Sequence, residues 1–274
     1  MLTLRNKDRS LSVEKPLVMG ILNVTPDSFY SESRFQQLDQ AIEQAEQMLQ
    51  QGAALLDIGG QSTRPGSVRV DADTEWSRIE ASVTAIVKRF PNAYISIDTY
   101  HAQVARRALG AGAFMINDIS AGTMDNSMIR TVAELGCPYV LMHMRGTPDN
   151  MQEHAQYRNV TEEVVTYLTE RRDYCLQAGI TDLVIDPGFG FAKTLAQNFQ
   201  LIAQLERFSV LQYPLLLGIS RKSFIYKTLG LLPQQALNGS TFLHAIGLQK
   251  GARILRVHDV KEAVEAVRLF EKLG

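Results

Sequence analysis

The sequence predicts an α/β protein, a closed (β/α)8 barrel with a short N-terminal β-hairpin, on three observations. Eight short apolar runs end in polar residues, and longer stretches of helical period lie between them. At roughly 30 residues per βα unit, eight units fill about 240 residues of the 274-residue chain. Closure also leaves no exposed sheet edge, which favours a barrel over the open doubly wound sheet that the same pattern allows.

In order along the chain, LTLRN and SLSVE flank a polar turn and predict the hairpin within residues 1–15. The barrel then runs over 16–274 as one domain, with no linker, repeat or low-complexity segment to divide it. Its strands are predicted at Leu17–Leu22, Ala54–Ile58, Tyr94–Ile97, Phe114–Ile116, Tyr139–Met142, Leu183–Ile185, Pro214–Leu217 and Ile254–Val257. Helical period marks DQAIEQAEQMLQQG, where Ile42, Ala45, Met48 and Leu49 share a face and Gly52 ends the run. TEWSRIEASVTAIVKRF, AQVARRALGAG, TEEVVTYLTERRDYCLQAG and KEAVEAVRLFEKLG read the same way. Asp259 followed by Glu262 forms an N-cap and N3 pair that starts the last helix directly after the eighth strand.

Composition narrows the function classes. At 45% hydrophobic and 21% charged the chain can bury a full core, and a net charge of −1 removes the footprint of a nucleic-acid binder. Cys137 and Cys175 lie too far apart for zinc or redox spacing, which predicts a reducing, cytoplasmic setting. No continuous apolar stretch suggests a secretory signal near the start, and none is long enough to span a membrane.

The polar residues that close each run are Asn23, Asp57, Asp98, Asn117 with Asp118, His143, Asp186, Ser220-Arg221-Lys222, and Arg256 with His258. In a barrel these ends converge on the face that carries active sites. Asp98 and Asp186 are acceptor-only when ionised and suit a planar edge of donors, such as a 2-amino-pyrimidinone. Asn117 adds both a donor and an acceptor. Asp57 and Asp118 read better as caps or supports. Arg64, Lys222, Arg256 and His258 form a cationic end suited to an anion: Arg256 and His258 stand beside a helix start that favours phosphate, and the positive charge of Arg221 and Lys222 at a helix start opposes the dipole unless an anionic ligand answers it. A dinucleotide fingerprint is set aside, since Lys193 fills the third glycine position of Gly188-Phe-Gly190-Phe-Ala-Lys193. The five histidines share no metal spacing; His101 and His244 read as surface or satisfied core residues.

Eight segments then carry a resemblance: MGILNVTPDSF (19–29), LDIGGQSTRPG (56–66), SIDT (96–99), INDIS (116–120), LMHMRGTP (141–148), IDPGFGFAK (185–193), GISRKSF (218–224) and RVHDV (256–260). In this order the chain resembles the dihydropteroate synthases of folate biosynthesis, a pterin-binding TIM-barrel family. The resemblance implies Mg2+, a cytoplasmic homodimer, and condensation of 4-aminobenzoate with (7,8-dihydropterin-6-yl)methyl diphosphate. It implies that Asn23 contacts the metal and that Asp98, Asn117, Asp186 and Lys222 hold the pterin. Thr63, Arg256 and His258 would bind diphosphate, and Arg64, Pro65, Ser220 and Lys222 would surround the aminobenzoate. Met142, Phe191 and Gly218 would form pocket walls, although Met142 and Phe191 read as core from the pattern alone.

Two departures stand out. Tyr30-Ser31-Glu32-Ser33 replaces the family's serine-aspartate-glycine-glycine stretch, and Gln61 replaces a common glutamate. The rival readings are a corrinoid-dependent methyltransferase barrel, which shares the pterin-facing acids, and a non-catalytic pterin-binding paralogue. The STRPG loop and the SRKSF lysine favour the synthase.

Overall fold

The structure, a computed structural model, describes residues 2–24, 34–62 and 66–273. Its N-terminal hairpin pairs β1 (Thr3–Asn6) with β2 (Arg9–Ser12). The barrel strands are β3 (Leu17–Asn23), β4 (Leu55–Gly59), β5 (Tyr94–Asp98), β6 (Met115–Asp118), β7 (Tyr139–Met142), β8 (Leu183–Asp186), β9 (Leu215–Leu217) and β10 (Ala252–Val257). They close in the order β10-β3-β4-β5-β6-β7-β8-β9, and every neighbouring pair is parallel. The predicted barrel is therefore observed, and the open sheet is excluded.

Two strand boundaries move for identifiable reasons. Pro214 supplies its carbonyl to Ile185 N at 2.8 Å but has no N–H of its own, so β9 starts one residue later. The fourth run shifts forward, bringing Asn117 and Asp118 inside β6. The helices are α1 (Arg34–Gln50), α2 (Ala72–Arg89), α3 (Ala102–Gly110), α4 (Met128–Leu135), α5 (Val160–Gln177), α6 (Leu195–Ala203), α7 (Ser223–Thr228), α8 (Leu237–Gln249) and α9 (Val260–Phe270). Among these, α4, α6, α7 and α8 were not individually legible. In α8 the pattern is blurred by two glycines of low helix propensity. A Cβ at Gly247 would lie 2.2 Å from Leu217 Cδ2, so close packing of α8 on β9 requires the glycine.

One cap is a correction. Asp259 occupies the N-cap of α9 but makes no side-chain cap bond. Its carboxylate instead takes Arg221 Nε at 2.8 Å and Arg221 Nη2 at 2.6 Å. The positive charge that follows the seventh strand at Arg221 is thus answered inside the chain.

Alternation along the strands explains how the site is aimed. One buried cluster joins strand residues such as Val18, Leu56, Ile97, Ile116 and Leu255 to residues of the surrounding helices. The other holds Met19, Leu55, Met115, Val140, Val184, Leu216 and Ile254 together with Leu4 and Leu11 of the hairpin, and contains no helix residue. The second set is the barrel interior, closed below by the hairpin. Because side chains alternate faces, Asp57, Asp98, Asn117, Met142, Asp186, Gly218 and Arg256 share the interior side with that set, one or two pleats nearer the C-terminal rim.

Candidate active site

The floor of the socket is a compact set of charges. Arg256 Nε donates to Asp57 Oδ2 at 2.6 Å, and its Nη2 donates to Asp98 Oδ2 at 2.6 Å. Asn117 Nδ2 donates to Asp57 Oδ2 at 2.9 Å, which fixes the amide's orientation. Asp57 is fully buried and acts as the tie between Arg256 and Asn117, the supporting role expected from sequence. Burial drives the Asp98 carboxyl up to about 7, against the pull of the Arg256 guanidinium. Burial opposes the charge on Arg256 as well, but Asp57 and Asp98 outweigh it and raise its pKa. The second oxygen of Asp98, Oδ1, is buried with no hydrogen-bond partner among the described residues, leaving an acceptor for a donor from outside the chain.

A second acid and cation stand across the socket on β8 and the loop after β9. Asp186 Oδ1 accepts from Gly188 N at 2.7 Å, and burial raises its pKa. Lys222 Nζ donates to Phe189 O and lies 4.7 Å from the centre of the Phe191 ring. Burial lowers the Lys222 pKa to about 8, with the Asp186 carboxylate opposing the shift. Both side chains face Gly218, where a Cβ would lie 3.6 Å from Asp186 Oδ2 and 4.0 Å from Lys222 Nζ. Beside them Met142, Tyr100, Ile119, Met144, Met151 and Ala192 form a small apolar cluster that Phe191 packs against. Met142 and Phe191 thus belong to a patch at the C-terminal rim, distinct from the cluster that fills the barrel below it.

At the mouth, Ser220 links the ends of β9 and β10. His258 N donates to Ser220 Oγ at 3.2 Å, with His258 Nδ1 at the same distance, and the ring is exposed. The structure brings Asp98, Asn117, Asp186, Lys222, Arg256, Gly218, Ser220 and His258 to one end of the barrel. Thr63, Arg64, Pro65 and the Tyr30–Ser33 stretch lie outside the described residues. One spatial expectation needs correction: acids and cations do not segregate to opposite ends. Arg256 reaches from β10 past β3 to the acids of β4 and β5 on the floor, and Lys222 reaches from the loop after β9 toward Asp186. Asn117 and Asp118 also separate. Asp118 points to the other face and accepts from Tyr139 OH at 2.6 Å, Ser120 N at 2.7 Å and Gly122 N at 2.8 Å.

Sequence reasoning missed a buried network next to the socket. Gln61 Nε2 donates to Glu75 Oε2 at 2.8 Å, and Tyr100 OH donates to Gln61 Oε1 at 2.7 Å. Burial pushes the Glu75 carboxyl up to about 8. The available signal was an acid on the face of α2 that also carries Ile79, Val83 and Ile86, all buried. His101 caps α3 by position, is buried, and its Nε2 lies 3.0 Å from Val70 O. His244 corrects the expectation of a surface or satisfied residue: it is buried in α8 and its Nε2 has no partner among the described residues.

The described residues contain no group of three or more His, Cys, Asp or Glu that could hold a metal. Magnesium, however, retains water and commonly takes only one or two protein oxygens plus substrate phosphates. Asn23, half-buried at the end of β3 and in register with Gly59, offers one hard amide oxygen at the rim. The donor set fits an ion that arrives with a phosphorylated ligand, not one held in a protein cage.

Fold and site together define a (β/α)8-barrel enzyme with a deep, acid-lined socket and a cationic lining. Comparison with known proteins narrows this class. The family described as pterin binding enzyme matches residues 19–258. The dihydropteroate synthase of Escherichia coli (strain K12) is 44% identical over 264 residues, covering 96% of this chain and 93% of the relative. That of Bacillus subtilis (strain 168) is 41% identical over 262 residues, covering 95% and 89%. The Xanthomonas albilineans dihydropteroate synthase solved with 4-aminobenzoic acid superposes with a TM-score of 0.93 at 40% identity, covering 99% of this chain and 98% of that one. The Yersinia pestis enzyme in a sulfonamide drug complex gives 0.93 at 42% identity, with the same coverage. The chain belongs to the pterin-binding enzyme family, in its dihydropteroate synthase branch.

Proposed function

We propose that this barrel is a transferase of folate biosynthesis that condenses 4-aminobenzoate with (7,8-dihydropterin-6-yl)methyl diphosphate, releasing 7,8-dihydropteroate and diphosphate. The observation that carries the reading is the placement of Asp98, Asn117 and Asp186 around one socket, with Arg256 and Lys222 interleaved. Asp98 Oδ1 and the Asp186 carboxylate accept from the amino and ring N–H groups of the pterin, while Asn117 reads the same edge. Met142 and Phe191 supply the apolar walls, and Gly218 leaves room between Asp186 and Lys222.

The reaction breaks the bond from the pterin methylene to the diphosphate oxygen and forms a bond from that carbon to the arylamine nitrogen, which then loses a proton. An arylamine is neutral and nucleophilic near pH 7, so no strong base is required. Help is needed for the charge departing on diphosphate. Arg256 and His258 present preorganised positive and polar groups to it, and the family motif assigns Thr63 and Arg64 the same task. Mg2+, held by Asn23 and the diphosphate, would neutralise part of that charge when bound. Positive charge that develops on the methylene is spread into a ring held by Asp98 and Asp186. Lys222, Ser220, Arg64 and Pro65 surround the incoming aminobenzoate, so sulfonamides that mimic it compete there.

Cys137 and Cys175 are both free and buried, which accords with a reducing cytoplasm. Among the described residues no helix is long and apolar enough to cross a membrane. Exposed Leu229, Leu231, Leu232 and Phe242 on and beside α7 and α8 support a homodimer through that face, which sedimentation would detect. The decisive test is an assay of dihydropteroate formation with and without Mg2+. Metal-stimulated product, suppressed by a sulfonamide, is expected. No product, with methyl transfer from methyltetrahydrofolate to a corrinoid instead, would overturn the reading in favour of the methyltransferase.

A further inference from the structure

The loop after β8 carries an unused lysine. Lys193 is 3% exposed, and its Nζ lies 2.8 Å from Gly188 O, 3.0 Å from Phe191 O and 2.9 Å from His143 Nδ1. A further carbonyl, His143 O, stands at 3.4 Å. The carbonyls of this shell can only accept, so the N–H groups of Lys193 donate to them, while burial lowers its pKa well below the usual lysine value.

The carbonyls converge because the loop backbone is unusual. Gly188, Gly190 and Ala192 all have positive φ, at 71°, 80° and 50°. A Cβ at Gly188 would fall 1.9 Å from His143 O, so the loop is pressed against the end of β7. Ala192 is in the left-handed region without a glycine's freedom. Carbonyl dipoles gathered at one point repel one another unless a donor sits among them, and Lys193 Nζ donates at that point.

The same loop serves the socket with its outward-facing groups. Gly188 N donates to Asp186, and Phe189 O accepts from Lys222. The Phe191 ring underlies the Lys222 ammonium. We propose that Lys193 is a positioning residue: by gathering the Gly188, Phe191 and His143 carbonyls and the His143 imidazole, it sets the loop that aims Asp186 and Lys222 at the pterin. This rests on the pterin-binding reading of the socket. It also gives the lysine at the misfit fingerprint position a role that has nothing to do with dinucleotides.

The test compares wild type with Lys193→Met, which keeps length and removes every donor, and Lys193→Gln, which restores two. Three measurements are made on the full chain: melting temperature, calorimetric affinity for a pterin analogue, and the pH profile of kcat/KM. In the folded Lys193→Met variant, affinity for the analogue is expected to fall about tenfold or more, and Lys193→Gln should recover part of it. The alkaline limb expected of the profile from Lys222, whose pKa burial lowers to about 8, should move to higher pH, because a loosened loop admits water to that ammonium. A lysine that served stability alone would lower the melting temperature and leave affinity and the alkaline limb at wild-type values, which overturns the inference. If Lys193→Met does not fold, the same two readouts on Lys193→Gln decide. Wild type that neither binds the analogue nor makes dihydropteroate defeats the reading of the socket itself, a result distinct from variants that match an active wild type.

Discussion

The two acids that face the socket are held in opposite ways. Asp98 is answered by side chains on other barrel strands: Arg256 of β10 bonds it directly, and Asp57 of the adjacent β4 shares the guanidinium. Asp186 takes its hydrogen bond from backbone, at Gly188 N, and faces the cation Lys222, which is itself tied to Phe189 O on the same loop. One end of the socket is therefore as rigid as the barrel, and the other is as well placed as the loop between β8 and α6 lets it be. A buried charge keeps its position through whichever partner moves least, so the loop end is the more easily disturbed.

Removing each acid should expose that difference. Asp186→Ala leaves Lys222 without its carboxylate and the pterin donors without an acceptor, and a loss on the order of 2–5 kcal/mol in pterin-analogue affinity is expected. Asp98→Ala should cost less, toward about 2 kcal/mol, because Asp57 still pairs with Arg256. Calorimetric titration of both variants measures the gap directly. Equal losses would show that the two ends are energetically alike and that the backbone-held acid is no more exposed to loss than the strand-held one.

Titration separates the ends again. Asp98 ionises at about 7 and Lys222 loses its proton at about 8. Affinity for the analogue should rise as pH climbs through the first value, when the carboxylate acceptor forms, and fall beyond the second, when the ammonium is lost. These limbs belong to a coupled cluster, so the measured midpoints describe the socket as a whole. Lys222→Met should abolish the alkaline limb and preserve the acidic one. An alkaline limb that survives the substitution would move that titration elsewhere.

The strand-held end was far more legible in the sequence than the loop-held one. Period-2 alternation sets Asp98, Asn117 and Asp186 on the interior face as soon as the strands are recognised, and convergence at the C-terminal rim follows from barrel closure. Alternation also distinguishes Asn117 from its neighbour Asp118, although both end the same run. It does not say which partner each side chain finds. Arg256 looks like part of an anion site from sequence, and only the closure that puts β10 beside β3 and β3 beside β4 brings it to Asp57 and Asp98. The capping pair at Asp259 failed for a similar reason: a local rule was overridden by Arg221, a partner 38 residues earlier in the chain. Loop geometry is the least legible of all, since the convergence of carbonyls on Lys193 depends on three positive φ values that no hydrophobic pattern encodes.

The smallest expected effect concerns a third buried acid, which lies outside the socket and has neither kind of strong partner. Glu75 accepts from Gln61 Nε2, while the nearest ring nitrogen, His101 Nε2, is 3.8 Å away. Burial lifts its pKa from 4.5 to about 8. Between those values the folded chain keeps a proton that the unfolded chain has released, so this group's contribution to stability declines as pH rises across that window. Glu75→Gln is neutral at every pH and its amide oxygen can still accept from Gln61. The variant should therefore match wild type near pH 4.5 and become progressively more stable toward pH 8, by about 1–3 kcal/mol. Denaturant unfolding at a series of pH values measures the difference. Parallel stability curves would mean that Glu75 is ionised in the fold, and that Gln61 and Tyr100 hold a carboxylate where a carboxylic acid is inferred.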